Sequence, residues 1–435
     1  MKKLLLLSFL IILSACTHPD FNKDGGTRIV LEASVGDLLR QYIRPGDSIA
    51  YATIHETYKE YSQQEGSFLD LYFAKLAKAD PSSTTKHFKA EGLSESASSS
   101  DCKSFFEKKL SETMDNISMI IAKRMNAFGV REPGIRKDER AERLIVELTG
   151  MNDKQRIRKL LQASAKLEFL ETYENAEVAD KLNRLNTVLA EELHLGITDT
   201  VEKVKEAEPA VKKGGTLDEQ LGTQEGVSEN QEEKMERLKQ ANPLFSVLMP
   251  SYKFDTDGNP TAYGEGPKVG TAYAKDTAQV NKLLGMAMCK KIVGPYTRFL
   301  WTFKSINQKN MYELIAIRTS NGGVSRIAGN VVEDARLLFD DQSGGAPQIS
   351  MTMTKEAGWD WEKMTRDNIG KSIAIAVDDQ VYSYPRVMSE ISGGMSSITG
   401  DFTREEAEDF ANVLKAGYLP VPLRIIQEDV VAPKK

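Results

Sequence analysis

The stretch 348-QISMTMTKEAGWDWEKMTRDNIGKSIAIAVDDQVYSYP-385 decides the fold. Ile349, Met351 and Met353 alternate with Ser350, Thr352 and Thr354, the two-residue period of a strand with one apolar face. Helical spacing then takes over: Ala357, Trp361 and Met364 share a face, and Gly370 supplies a C-terminal stop. The segment 371-KSIAIAVDDQVYSYP-385 reads as two strands around Asp378-Asp379, ended by Pro385. Beyond a glycine-rich connection, 402-FTREEAEDFANVLKAG-417 sets Thr403 and Glu406 in capping-box register. Ala407, Phe410, Ala411 and Leu414 form its apolar stripe. A last strand lies in 418-YLPVPLRIIQE-428. The order is βαββαβ, a split-βαβ, ferredoxin-like unit.

The same order emerges toward the N terminus. The segment 27-TRIVLEA-33 is a strand in which Ile29 and Leu31 alternate with Val30 and Glu32. Helical patterns follow at 35–42 and at 68–78, the second burying Phe68, Leu71, Tyr72 and Leu76. A serine-rich loop at 89–101 precedes a long helix from about Ser111, with Ile117, Ile120, Ile121, Met125 and Phe128 in one stripe and Gly129 as its stop. Two strands fall in 131-REPGIRKDERAERLIVELTG-150. A helix capped by Asn152 or Asp153 buries Ile157, Leu160 and Leu161, and 166-KLEFLETY-173 closes this half with a strand.

Between the halves, Asp199 to Lys239 is rich in Glu, Lys, Gln and Gly and nearly free of large apolar residues. Such a segment cannot offset its ordering entropy by burial, so 175–240 reads as a linker, helical and then disordered. Order resumes in 241-ANPLFSVLMPSY-252, 266-GPKVGTAYAKDTAQVNKLL-284, 297-TRFLWTFKS-305 and 311-MYELIAIRTS-320. The expected architecture is α+β: a base of two βαββαβ ferredoxin-like halves with an inserted small α/β head subdomain. The first half covers 25–174, with a helical insertion at 35–110. The head occupies 241–334, the second half 335–431, and 432–435 form a tail.

Composition narrows the functional classes. The 435 residues carry a formal charge of -6, and no basic run interleaved with aromatics offers a phosphate-tracking groove, which argues against nucleic acid. The N terminus, 1-MKKLLLLSFLIILSAC-16, joins two lysines to an apolar run of signal-peptide length. "Leu-Ser-Ala-Cys" resembles a bacterial lipobox. It predicts a signal peptide at 1–15, lipidation at Cys16, a tether at 16–24 and a membrane-anchored lipoprotein facing the periplasm. Thr17 leaves inner and outer membrane both open. Cys102 and Cys289 lie far apart without a pairing motif, so free thiols are expected.

Catalytic signals are weak. The stretch 20-DFNKDGG-26 imitates a calcium loop, but Leu31 stands where that loop needs Glu. The sequence 255-DTDGNP-260 is a turn, and 392-SGGMSSITG-400 lacks the lysine of a phosphate-cradling loop. His18, His55, His87 and His194 are scattered, with no HExxH, Cys/His set or GxSxG elbow. No catalytic residue, metal ligand or cofactor is expected.

The blocks 122-AKRMNAFGVREPGI-135, 144-LIVELTGM-151, 158-RKLLQASAKLEFLETYE-174, 368-NIGKSIAIAVDDQVYSYPRVMSEISGGMSSITGDFT-403 and 405-EEAEDFANVLKAGYLPVPLRIIQEDVV-431 carry a resemblance. They are similar to the first large extracytoplasmic domain of the SecD/SecDF protein-export family, above all its fused Bacteroidetes type, and 25-GGTRIVLEAS-34 matches the strand that opens it. The resemblance implies a non-enzymatic protein-translocation accessory that binds unfolded or translocating polypeptide, beside Sec translocase components. A lipobox stands where the family has its first membrane helix, so the family's proton-driven motor is not carried over. Hinges are implied near 173–177 and 330–335.

An unfolded chain presents apolar side chains and unpaired backbone groups, which an apolar cleft or sheet edge would take up. Candidate contacts are Phe245, Leu248, Met249, Tyr252, Leu300, Trp301 and Phe303, residues that equally suit the head's own core. The alternative function is a diverged binding lipoprotein that uses the same fold for another ligand or partner.

Overall fold

The computed structural model describes residues 25–61, 66–81, 84–94, 96–130, 133–138, 140–149, 153–195, 231–306, 309–320, 325–340 and 345–431. The signal peptide, Cys16, the tether, the linker's 196–230 and the tail lie outside the described residues. In chain order the elements begin with β1 (Gly26–Ala33), α1 (Val35–Arg40), α2 (Ser48–Tyr61), α3 (Phe68–Ala79), α4 (Ser99–Ala127), β2 (Gly134–Lys137), β3 (Arg143–Thr149) and α5 (Lys154–Gln162). Next come β4 (Leu167–Glu171), α6 (Asn175–Leu195), α7 (Gln231–Ala241), β5 (Met249–Pro250), β6 (Tyr252–Phe254), β7 (Pro260–Tyr263), β8 (Lys268–Tyr273), α8 (Ala274–Leu284) and α9 (Ala287–Val293). The remainder is β9 (Thr297–Thr302), β10 (Met311–Arg318), β11 (Ile327–Gly329), β12 (Val332–Asp340), β13 (Ala346–Met353), α10 (Lys355–Asp367), β14 (Ile373–Val377), β15 (Gln380–Ser383), β16 (Met395–Ile398), α11 (Arg404–Ala416) and β17 (Leu423–Val431).

These form a mixed α+β structure with several sheets, divided into two compact units. One unit holds the chain up to Ser164 and again from Leu419; the other holds Ala165–Tyr418. The division falls elsewhere than the predicted boundaries at 174/175 and 334/335.

The first unit has a four-stranded antiparallel sheet, in the order β17-β1-β3-β2. β1 is covered on both faces, Val30 and Glu32 being buried like Ile29 and Leu31, so it needs a full-length partner on each side. The prediction that the strand at Leu167–Glu171 completes this half does not hold, because β17 takes the place beside β1, with Ile29 opposite Glu428. Charge gives the reason. The buried Glu32 of β1 pairs with Arg143 of β3 at 2.8 Å and with Arg424 of β17 at 2.5 Å.

Helix α4 begins at Ser99, well before the predicted Ser111. The Ser98 hydroxyl accepts from the Asp101 N–H while the Asp101 carboxylate accepts from the Ser98 N–H, a capping box placed inside the serine-rich loop. Helix α5 starts on Asp153, whose side chain accepts from the Arg156 N–H.

The second unit holds an eight-stranded sheet, β11-β4-β14-β15-β9-β10-β8-β5, and a three-stranded one, β12-β13-β16. The expected second half is therefore not one βαββαβ sheet. Its first strand, β13, pairs with β12 and β16, while the β14–β15 hairpin lies in the large sheet beside β4. Asp378 and Asp379 turn that hairpin with φ of 51° and 65°, the left-handed pair of a tight two-residue turn. Leu167, Phe169, Ile373 and Ile375 share a core with Met351, Trp361, Phe402 and Leu414, so α10 and α11 close over both sheets. A second core gathers Val178, Leu182, Leu185 and Leu189 of α6 with Val280 and Leu283 of α8 and Leu314 and Ala316 of β10. The opening of the predicted linker is thus part of a core. Its leucine spacing is that of a buried helical stripe.

Candidate functional site

The site begins where β9 and β15 run side by side. They pair in parallel at Gln380–Trp301 and Val381–Thr302, and the Phe303 N–H donates to the Val381 carbonyl at 2.8 Å. Extended backbone throws alternate side chains to opposite faces, so Val381 is buried with Leu300 and Ile315 while Tyr382 packs, partly buried, against the core under α10 and α11. The Phe303 ring lies flat on Tyr382, with centroids 4.3 Å apart and planes 10° from parallel. Tyr382 in turn stacks on Phe410 of α11 at 4.6 Å, and Phe402 completes the group at 6.2 Å from both.

Phe303, Tyr382 and Phe402 of this group line a groove of about 710 Å³, bounded also by Lys304, Ile306, Glu313, Tyr384 and the turn at Gly400 and Asp401. The rim is polar and held in place. Lys304 Nζ donates to the Asp401 carbonyl, pairs with Glu406 at 3.0 Å and lies 5.6 Å from the centre of the Phe402 ring. The Tyr384 hydroxyl donates to Glu313 at 2.6 Å, and Lys268 approaches the same carboxylate at 3.3 Å. Burial pushes the Tyr382 and Tyr384 phenols above their ordinary range, and at Tyr384 the Glu313 carboxylate adds to the shift. Both therefore stay neutral, and Tyr384 stays a donor. The Thr403 N–H, and then Lys304, hold Glu406 below the usual carboxylate range against the effect of burial. Stacked rings with hydrogen-bonding groups along the edge can grip apolar side chains and backbone amides together.

Of the seven candidate contacts, Phe303 alone lines this groove, with its side chain 38% exposed. Leu248 and Leu300 are buried, and Phe245 and Trp301 pack partly buried against the α6–β10 core. The Trp301 indole N–H also donates to Asn281 at 2.8 Å. Tyr252 is half-buried and stacks on Tyr263 in the β6–β7 ribbon. Met249 is 40% exposed, on the edge strand β5. Sequence reasoning missed Tyr382, Tyr384, Phe402, Phe410 and Lys304. The signal available for the first two was 381-VYSYP-385, where tyrosines alternate with Val381 and Ser383. Among the described residues no group of three or more His, Cys, Asp or Glu side chains gathers as a metal site, and no helix is long and apolar enough to cross a membrane.

Comparison with known proteins places these residues in a family. The model described as "SecDF, P1 head subdomain" matches residues 315–421, a range that holds Tyr382, Phe402 and Phe410. It overlaps the predicted second base half more than the predicted head at 241–334. The model described as "Protein translocase subunit SecDF, P1 domain, N-terminal" matches residues 114–174. Protein translocase subunit SecD of Rhodothermus marinus is 30% identical over 416 residues, 94% of this chain and 61% of that protein. Protein translocase subunit SecDF of Thermus thermophilus is 39% identical over 117 residues, 27% of this chain and 16% of that protein. This chain thus spans about three fifths of the first relative's length and a smaller part of the second's. A SecDF crystal structure in a "Super-membrane-facing form" aligns over 95% of this chain and 31% of its own, with 20% identity and a TM-score of 0.41. Residues 114–174 and 315–421 thus match the P1 domain of the SecD/SecDF family.

Proposed function

We propose that this chain holds extended polypeptide on the extracytoplasmic side of the membrane during protein translocation, by binding and without catalysis. One observation carries the reading: the exposed Phe303 ring, fixed on the Tyr382–Phe410 stack, opens on a groove of about 710 Å³. A prestacked ring costs little further ordering when a ligand arrives, and it accepts any apolar side chain. The names of the SecD and SecDF relatives, as protein translocase subunits, support the same reading. In it, Cys16 is the lipid anchor, Sec translocase components are the neighbours, and the four-stranded sheet is one split-βαβ unit whose fourth strand is β17.

The test is fluorescence anisotropy with a reduced, carboxymethylated polypeptide that stays unfolded. Phe303→Ser removes the outer ring from a position that the core does not need. It is expected to weaken binding by about tenfold, while Met249→Ser, exposed on another strand, leaves it unchanged. Equal affinity of the Phe303→Ser variant and the parent would remove the groove from consideration.

A further inference from the structure

We infer that the end of the β14–β15 hairpin reads the main chain of the bound polypeptide, which adds as a strand along the edge at Tyr384 and Arg386. The inference deepens the proposed function and rests on it: the groove and its occupant are the same, and what is named is the part of the occupant that is recognised. β15 pairs with β14 along its length, but with β9 only at Gln380 and Val381. The cause is a bulge. Ser383 lies opposite Ile375 and Val381 opposite Ala376, which leaves Tyr382 as one extra residue in β15. The side chains record the same insertion. Val381 and Tyr384, three residues apart, pack against one core, whereas a regular strand would put them on opposite faces.

Past the bulge the outer edge of the hairpin lies open. The Ile373 N–H donates to the Pro385 carbonyl at 3.1 Å and the Val387 N–H to the Lys371 carbonyl at 2.8 Å, so Pro385 and Val387 face the β14 side. In such a pair the alternate residues direct N–H and C=O groups the other way. Those residues are Tyr384 and Arg386, and among the described residues their main-chain groups take no hydrogen bond. The Phe303 carbonyl, just beyond the end of β9, takes none either. Proline often blunts an edge by removing a donor, but the Pro385 nitrogen faces inward, so both outward donors remain. Tyr384 lines the aromatic groove, and Arg386 lies one strand step, about 7 Å, farther along the same edge. An extended segment in the groove sets its own N–H and C=O groups against this edge and turns every second side chain toward the rings.

The probe is a fluorescein-labelled nonapeptide, Lys-Ser-Val-Ser-Phe-Ser-Val-Ser-Lys, whose single Phe fixes its register on the rings. It is titrated into the full chain beside variants that each carry one N-methyl amide, at successive positions. N-methylation deletes one donor and leaves the protein untouched. Affinity is expected to fall about fivefold at every second position and to change little at the positions between. Hydrogen exchange followed by NMR should slow at the Tyr384 and Arg386 amides when the parent peptide binds, while Val387, already bonded, changes little. Equal losses at all positions, or none, with Phe303→Ser still weakening the parent peptide, would overturn the inference and leave the groove reading standing. Indifference of the parent peptide to Phe303→Ser would sink the groove reading, and the inference with it. A chain that dimerises through 384–386 and excludes the peptide would also overturn the inference.

Discussion

Arg124 Nη1 donates to the carbonyl oxygen of Leu160 at 3.0 Å, from a side chain with no solvent exposure. The same nitrogen reaches the Ala163 carbonyl at 2.5 Å, so one guanidinium caps the C-terminal end of α5, where peptide carbonyls lack helical partners. Arg124→Met keeps the bulk and deletes the donors. It should lower the stability of the first unit by about 3 kcal/mol, because hydrogen bonds to a charged group are lost and buried carbonyls are left unpaired. Urea unfolding measures it. A loss below about 1 kcal/mol would mean that water reaches those carbonyls.

Glu32 specifies which strand lies beside β1. Its carboxylate is held by Arg143 from one neighbour and Arg424 from the other. Replacing it by Leu removes charge-assisted hydrogen bonds to two guanidiniums that keep access to water, and should cost about 2 kcal/mol. Hydrogen exchange should then rise first along Leu423–Val431, the strand recruited through Arg424. Uniform loosening of the unit instead would show that Glu32 does not select β17.

Asp47 makes the first unit sensitive to acid. Burial works to raise its carboxyl, but the Ala50 N–H and the His87 imidazole at 2.7 Å outweigh it and leave the group below the usual carboxylate range. A depressed folded value means that the unfolded chain takes up the proton first. The contribution is therefore intact above about pH 4 and fades as the pH falls through the folded value. Thermal unfolding of Asp47→Asn between pH 3 and 7 should show a lower midpoint at neutral pH and a shallower fall in acid. A parallel offset at every pH would rule the linkage out.

Cys102 and Cys289 are both buried free thiols, one in each unit. Burial pushes Cys289 up to about 11, which at pH 8 leaves roughly one thiolate in a thousand. Native protein treated with iodoacetamide and mapped by peptide mass should carry no label at either position, and both should label in guanidinium. Rapid native labelling at Cys289 would place the α9 segment outside the core.

Local structure was legible wherever chemistry and outcome lie within one turn or one hairpin. The Thr403–Glu406 capping box, the Asp378-Asp379 turn, and the Ala357–Trp361–Met364 stripe under α10 are all short-range, and all form as read. The α4 start was missed because Ser98 and Asp101 sit in a serine run whose composition reads as loop, and only the reciprocal hydrogen bonds distinguish a cap from its neighbours. The aromatic groove was illegible because Phe303, Tyr382, Phe402 and Phe410 come from separate segments, and stacking is a property of where those segments end in space.

By itself the sequence determined the mixed α+β class, most element positions and which face of each element is apolar, since propensity, capping and periodicity act within a few residues. It could not determine strand partnership. β4 has five residues and β17 nine, yet each offers only a short apolar run, and nothing local in either run names its neighbour. The choice turns on Arg424 reaching Glu32 across nearly the whole chain, and on β4, buried on both faces, needing two neighbours in the larger sheet. Only the tertiary structure decides such pairings, because their energy arises between residues that the chain order does not bring together.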